Sequence, residues 1–439
     1  MELYEHQKDV LKQTEQLNRV AYYLDMGLGK TFVGAEKMYQ LGTKANLLIC
    51  QKSKIQDWDE HFFKHYAGSY KSSNKKVFIS WDLTDKKDFE NFFKAINNKE
   101  WNTCHVGIIN YELAWRRKDL LKLHDFTLML DESSLIQNRK AKQSKFILKL
   151  QPSNVILLSG TPTAGKYENL WTQAHLLGWD ISEALYNRQY INWKTQQIGW
   201  QNPQYIRVID KDDPYKNVER LKSKFREHGA VFMKTEDVLT LPEQTFIELN
   251  VPSSKEYKYF MENSIVELTG DLALVGDTSL TKRLYARQLC GQYSKDKLEA
   301  FRDLISSTND RLIVFYNFTE ELNRLVQICE ELNKPISIVN GTTKDLSAYK
   351  QKSDSITFCQ YQAGAMGLNL QGANKIIYFT LPERSELFEQ SKKRIHRIGQ
   401  NKPCFYYILM CQGTVEENIY ETLKQRKDYT DELFKKTFS

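Results

Sequence analysis

Short apolar runs recur along the chain without the polar alternation of a half-solvated strand. They lie at positions 46–50, 106–109, 126–130 and 155–158, and the same pattern returns far downstream at 311–315, 355–359 and 375–379. Continuous apolarity is what a parallel strand needs when helices cover both faces of its sheet. The pattern therefore predicts two α/β sheets on either side of a different middle. That middle, from about Tyr167 to Leu298, has helical and polar patterning and few strand-like runs. Leu241-Pro242-Glu243 breaks it, and the run at 245–251 reads as a strand opening the second half. The expected organisation is a first lobe over 1–240 with a helical protrusion at about 165–235. A second lobe follows over 241–439, with a helical insertion at about 252–300.

At 439 residues the chain is long for one core, and two domains fit that length. Its composition, 41% hydrophobic and 27% charged, is that of an ordinary globular protein. The formal net charge is +7 and the pI about 8.7, which suits a polyanionic partner without demonstrating one. Basic clusters such as Arg116-Arg117-Lys118 and Lys392-Lys393-Arg394 are, taken singly, solvated faces. The seven cysteines form no Cys-x-x-Cys pair, so neither a disulfide framework nor a zinc site is expected, and a reducing compartment fits best. No run approaches the roughly 20 apolar residues of a membrane span. The start Met1-Glu2-Leu3-Tyr4-Glu5 lacks the features of a signal peptide. A soluble, intracellular protein is expected.

Four segments carry chemistry. In Leu24-Asp25-Met26-Gly27-Leu28-Gly29-Lys30-Thr31 the glycines let consecutive backbone N–H groups turn toward one anion. Lys30 can reach the β- and γ-phosphates, and the Thr31 hydroxyl can ligate Mg²⁺. Leu24 stands where the usual loop has its first glycine. The helix predicted to follow adds its N-terminal dipole. The second segment, Leu128-Met129-Leu130-Asp131-Glu132, is an apolar strand ending in two acids. Asp131 can hold Mg²⁺, and Glu132 can orient and activate the attacking water. The third, Leu157-Leu158-Ser159-Gly160-Thr161-Pro162-Thr163, is another strand running into a small polar turn. Its Ser159 and Thr161 can sense the γ-phosphate and pass that state on. In the fourth, Gln390 to Gln400, Arg394 and Arg397 stand three positions apart. On a helix they would share a face as a pair of arginine fingers. For a bare Arg-x-x-Arg, a basic surface helix is the simpler reading. His396 reads as packing rather than as a base or metal ligand.

In this order, the segments resemble the Swi/Snf family of superfamily two motors over nearly the whole chain. Leu3-Tyr4-Glu5-His6-Gln7 is similar to the glutamine motif, which places Gln7 on adenine. Asp25 to Thr31 is similar to the family's first motif, and it puts Gly27, Leu28, Gly29, Lys30 and Thr31 around the phosphates. Ile55-Gln56-Asp57-Trp58 and Asn110-Tyr111-Glu112 resemble the segments before the second motif. Val339-Asn340-Gly341-Thr342-Thr343 resembles an Asp-Gly turn, with Asn340 in the acid's place. Residues 363–370 resemble motif five, and Arg394-Ile395-His396-Arg397-Ile398-Gly399-Gln400 is nearly a signature of the family.

The resemblance implies two RecA-like lobes with a nucleotide cleft, ATP with Mg²⁺, and double-stranded DNA as partner. Gly367 and Gln390 then join the nucleotide site, while Ser53, Asn110, Thr319 and Gly341 lie on the nucleic-acid path. A minimal, monomeric, cytoplasmic motor from a bacterium or phage is expected. One departure is Asp131-Glu132-Ser133-Ser134, where the family often reads Asp-Glu-Ala-His. The acids that do the chemistry are kept, but the histidine that helps couple ATP state to DNA movement is not. Two other readings compete: a strand-separating DNA or RNA helicase, and an ATP-gated DNA-binding module with vestigial hydrolysis. The five residues Lys30, Asp131, Glu132, Arg394 and Arg397 argue against the latter.

Overall fold

The computed structural model describes residues 2–67, 77–98, 103–163, 165–198, 203–268, 272–364 and 368–434. These fold as two compact units, one built from residues up to Val238 and the other from Leu239–Lys427.

In the first unit the apolar runs become strands β1 (Arg19–Leu24), β2 (Ala45–Cys50), β3 (Val77–Asp82), β4 (Thr103–Asn110), β5 (Phe126–Asp131) and β6 (Asn154–Leu158). A hairpin of β7 (Trp193–Ile198) and β8 (Gln204–Ile209) follows, then β9 (Ala230–Met233). Seven of them form one parallel sheet in the order β3-β4-β2-β5-β6-β1-β9. The central strands are buried along nearly their whole length, as their unbroken apolarity requires. The parallel direction brings every carboxyl end to one edge, which is where such sheets hold ligands.

The span expected to be a helical protrusion carries the helices Trp171–Leu176, Glu183–Tyr190 and Val218–Glu227, together with the antiparallel β7–β8 hairpin. Trp179, Tyr186, Tyr190 and Phe225 from this span pack into the unit's main core.

The second unit repeats the plan. It contains β10 (Gln244–Val251), the hairpin β11 (Ile265–Leu268) and β12 (Leu272–Val275), β13 (Leu312–Tyr316), β14 (Ile336–Val339), β15 (Lys344–Asp345), β16 (Ile356–Gln360), β17 (Lys375–Tyr378) and β18 (Cys404–Cys411). Its sheet runs β10-β18-β17-β13-β16-β14-β15, parallel except for the β14–β15 pair. Helices Lys255–Asn263 and Ser279–Cys290 flank the β11–β12 hairpin within the predicted insertion. The two α/β sheets read from the sequence are thus present. All seven cysteines are buried, and none is in a disulfide. Among the described residues no helix is long and apolar enough to cross a membrane.

Candidate functional site

Strand β6 lies between β5 and β1, so three sequence motifs emerge side by side at one sheet edge. The phosphate-type loop follows β1, the Ser159-Gly160-Thr161 turn follows β6, and Asp131 closes β5 with Glu132 next. The loop is bent through Gly27 (φ 92°) and Gly29 (φ 75°), a backbone region that side chains with a Cβ rarely adopt. Gly29 caps the helix Lys30–Leu41, so the helix's unpaired N–H groups open toward the loop. Lys30 Nζ donates to Leu24 O at 2.9 Å and approaches Asp25 O at 3.4 Å. A Cβ at Gly160 would stand 3.2 Å from Lys30 Nζ, so the glycine lets the β6 turn approach the lysine closely.

The loop is anchored from outside. Gln7, buried, accepts from Tyr4 N–H at 3.0 Å through Oε1 and donates through Nε2 to Leu28 O at 3.1 Å. Leu28 O also meets His6 Nε2 at 3.2 Å. A Cβ on Gly29 would come 2.2 Å from Gln7 Nε2, so this packing requires glycine there. The amide of Gln7, expected on adenine, here bridges the Tyr4 backbone and the loop. On the other flank, Asp25 accepts from Met26 N–H at 2.8 Å and from the Thr235 hydroxyl at 2.8 Å.

Asp131 is held by residues from two neighbouring strands' connections. Trp58 Nε1 donates to its Oδ2 at 2.8 Å, and the Tyr111 hydroxyl donates to its backbone carbonyl at 2.9 Å. Burial pushes the Asp131 carboxyl above the usual carboxylate range, while the Trp58 N–H and the charges of Lys30 and Lys54 pull it back. Glu132 adopts φ 55°, an αL conformation unusual for a non-glycine residue. That conformation turns the chain after β5, and Ser159 Oγ lies 3.5 Å from Glu132 Oε2. Ser159 Oγ in turn accepts from Thr161 N–H at 3.1 Å. Thr31 occupies the second position of the Lys30–Leu41 helix, half-buried.

In the second unit, the helix Ser385–Lys392 carries a half-buried Gln390 and stops before the arginines. The shared helix face expected for Arg394 and Arg397 is therefore replaced by a turn. Its backbone bonds explain why: Arg394 N–H reaches Ser391 O at 3.1 Å, and Arg394 O accepts from Leu370 N–H at 3.2 Å. Gln400 pins the turn by donating to Ala373 O at 2.8 Å, and His396 Nε2 meets Pro242 O at 2.8 Å. Arg394 is buried and Arg397 half-buried, and burial pulls the Arg397 guanidinium below its ordinary value. Gly367 lies outside the described residues.

The SNF2-related domain matches residues 22–292, and the helicase conserved C-terminal domain matches residues 296–399. The chain belongs to the SNF2-related family. Among its relatives is YwqA of Bacillus subtilis (strain 168), a protein named for ATP-dependent helicase or translocase activity. The two are 25% identical over 340 residues, 70% of this chain and 35% of YwqA. The mouse SWI/SNF-related matrix-associated actin-dependent regulator of chromatin subfamily A member 1 is 23% identical over 441 residues, 90% of this chain and 40% of that protein. This SNF2-related chain therefore spans well under half the length of either relative. A solved structure titled the Sulfolobus solfataricus SWI2/SNF2 ATPase core in complex with dsDNA aligns at a TM-score of 0.45 and 18% identity. The alignment covers 98% of this chain and 92% of that one.

Of the residues expected on a nucleic-acid path, Ser53 and Asn110 sit at the carboxyl ends of β2 and β4, on the same edge as the phosphate loop. Ser53 is exposed, whereas Asn110 is buried with its amide donating to Glu112 at 2.7 Å. Thr319 and Gly341 follow β13 and β14 in the second unit and are exposed, with open space around Gly341. In the sequence, Trp58 and Tyr111 stand out only as parts of segments that resemble the family's. Their hydrogen bonds to Asp131 show what they do in this SNF2-related fold.

Proposed function

We propose that this SNF2-related chain is a DNA-dependent ATPase that couples ATP hydrolysis to translocation along double-stranded DNA. One observation carries the reading: the loop with Lys30, the Ser159-Gly160-Thr161 turn and the Asp131-Glu132 pair emerge from three adjacent parallel strands. In this reading Lys30 exchanges the Leu24 and Asp25 carbonyls for phosphate oxygens, and the backbone N–H groups from Gly27 to Thr31 face the same phosphates. Glu132 orients the attacking water, and Ser159 and Thr161 respond to the γ-phosphate.

The donor set also fits Mg²⁺. Asp131 is a half-buried carboxylate whose charged form burial disfavours, and Trp58 bonds one of its oxygens. Thr31 can supply the second ligand, and the cation would neutralise charge on the phosphates. Arg394 and Arg397 of the second unit are assigned as the fingers that complete hydrolysis. Their surroundings suit the role, because a half-desolvated guanidinium interacts more strongly with an anion than an exposed one.

The competing reading, a strand-separating helicase, differs in what moves. A duplex translocase displaces a third strand bound in the major groove while leaving the duplex intact. Third-strand displacement that requires ATP, without release of duplex strands, is the expected result. Release of single strands from a plain duplex would favour the helicase.

A further inference from the structure

Gln173 is fully buried in the short helix Trp171–Leu176, yet it belongs to none of the segments assigned above. Its Oε1 accepts from Tyr23 Oη–H at 2.9 Å and from Ser133 Oγ–H at 2.8 Å, and its Nε2 donates to Pro162 O at 2.8 Å. These partners come from three places that meet the nucleotide loops. Tyr23 is the next-to-last residue of β1, Ser133 directly follows Glu132, and Pro162 directly follows Thr161. Tyr23 and Ser133 are also fully buried. A buried amide is costly unless its bonds are made, and an apolar side chain would fill the same volume without that cost. A satisfied buried network instead fixes one relative arrangement of the groups it joins.

We infer that Gln173 is a positioning residue: it ties the Glu132 turn to the Ser159-Gly160-Thr161-Pro162 turn, so that the two shift together. The inference deepens the ATPase reading and rests on it. Gln173 is fully buried. It acts through the Ser133 hydroxyl, one residue from Glu132, and through the Pro162 carbonyl, one residue from Thr161. Without the tie, each turn would still form, but Glu132 and Thr161 would lose their common reference. A misplacement on the order of 1 Å is enough to cost about 10- to 100-fold in rate.

The experiment compares Gln173→Leu, Gln173→Glu and Ser133→Ala with wild type in the full chain. Duplex-stimulated kcat, ATP affinity and thermal midpoint are read for each. Gln173→Leu should lower kcat about 10-fold or more while ATP affinity stays within about twofold. Ser133→Ala should move kcat in the same direction, and the double variant should fall no further than Gln173→Leu alone, because the link is already gone. Gln173→Glu supplies a readout that packing would not move. A protonated carboxyl can reproduce all three bonds, whereas a carboxylate faces the Pro162 carbonyl. Its rate relative to wild type should therefore climb as pH falls from about 8 to about 6.

Should Gln173→Leu fail to fold, Ser133→Ala and the Gln173→Glu pH profile carry the test. A kcat for Gln173→Leu within about twofold of wild type would overturn the tie. So would kcat, ATP affinity and midpoint all declining together, or a flat relative pH profile for Gln173→Glu. A wild-type chain that hydrolyses no ATP would instead remove the ATPase reading, and the tie with it.

Discussion

The indole N–H of Trp58 donates to Asp131 Oδ2 at 2.8 Å, joining residues 73 positions apart. The bond orients the Asp131 carboxylate, which the Glu132 backbone and the charges of Lys30 and Lys54 also support. Trp58→Phe keeps most of the ring's packing and removes the donor. A hydrogen bond to a charged group contributes about 1.5–3 kcal/mol, so the variant should lose roughly 10-fold or more in kcat at saturating ATP. Steady-state ATPase against Mg²⁺ concentration checks this. Unchanged turnover and unchanged Mg²⁺ dependence would mean that Trp58 only packs.

Lys30 and Glu132 should fail in different ways. Lys30→Ala removes the cation that meets the phosphates, so both ATP binding and hydrolysis should be lost. The half-buried side chain reaches the Leu24 and Asp25 carbonyls and adds little to the core, so the thermal midpoint should hardly move. Glu132→Gln keeps shape but not basicity, and it should bind ATP with Mg²⁺ while hydrolysing very slowly. Nucleotide titration alongside single-turnover hydrolysis separates the two. A Glu132→Gln protein that no longer bound ATP would make Glu132 structural.

His61 gives a pH dependence with a defined sign. It lies on the helix Ile55–Tyr66 among Trp58, Phe32, Phe62 and His65, and its Nε2 has no hydrogen-bond partner among the described residues. Burial, with a smaller push from His65, lowers its pKa from 6.5 to about 4. The folded state therefore prefers the neutral ring more than the unfolded chain does. That contribution is fully present above pH 6.5 and is lost as pH falls toward about 4. As pH falls through this window the wild-type thermal midpoint should drop relative to that of His61→Phe, whose curve should be the flatter on the acid side. Parallel curves would exclude His61 as a source of acid sensitivity.

The sequence made some of these relationships visible and hid others for physical reasons. Strands β2, β4, β5 and β6 were legible because central parallel strands are apolar on both faces. The mixed edge strand β3 (Val77–Asp82) gave no such run, and the short apolar β9 (Ala230–Met233) lies within the span read as a helical protrusion. Strand-end chemistry was legible too, since glycines, Lys30, Asp131 and Glu132 cluster at the ends of apolar runs. What supports those residues was not, because Trp58 to Asp131 and Tyr23 to Gln173 are side-chain bonds across long separations. The spacing of Arg394 and Arg397 suggested a helix. Tertiary bonds to Leu370 and Pro242 hold that stretch in a turn instead.

Arg397→Ala tests the assignment of the fingers. It should bind ATP with modest loss but hydrolyse it roughly 10³-fold more slowly, and Arg397→Lys should rescue poorly because an ammonium cannot reproduce the planar fork. If Arg397 served only DNA binding, saturating duplex would restore the full rate. Such restoration would remove it from the hydrolysis step.

DNA-dependent hydrolysis is tested most directly by one measurement on the unaltered chain. Its steady-state ATPase rate is compared with saturating duplex DNA, with single-stranded DNA, with RNA and with no polymer. The account predicts that duplex DNA raises kcat well above the polymer-free rate and above either single-stranded polymer. Equal rates in all four conditions, or greatest stimulation by RNA, would contradict it.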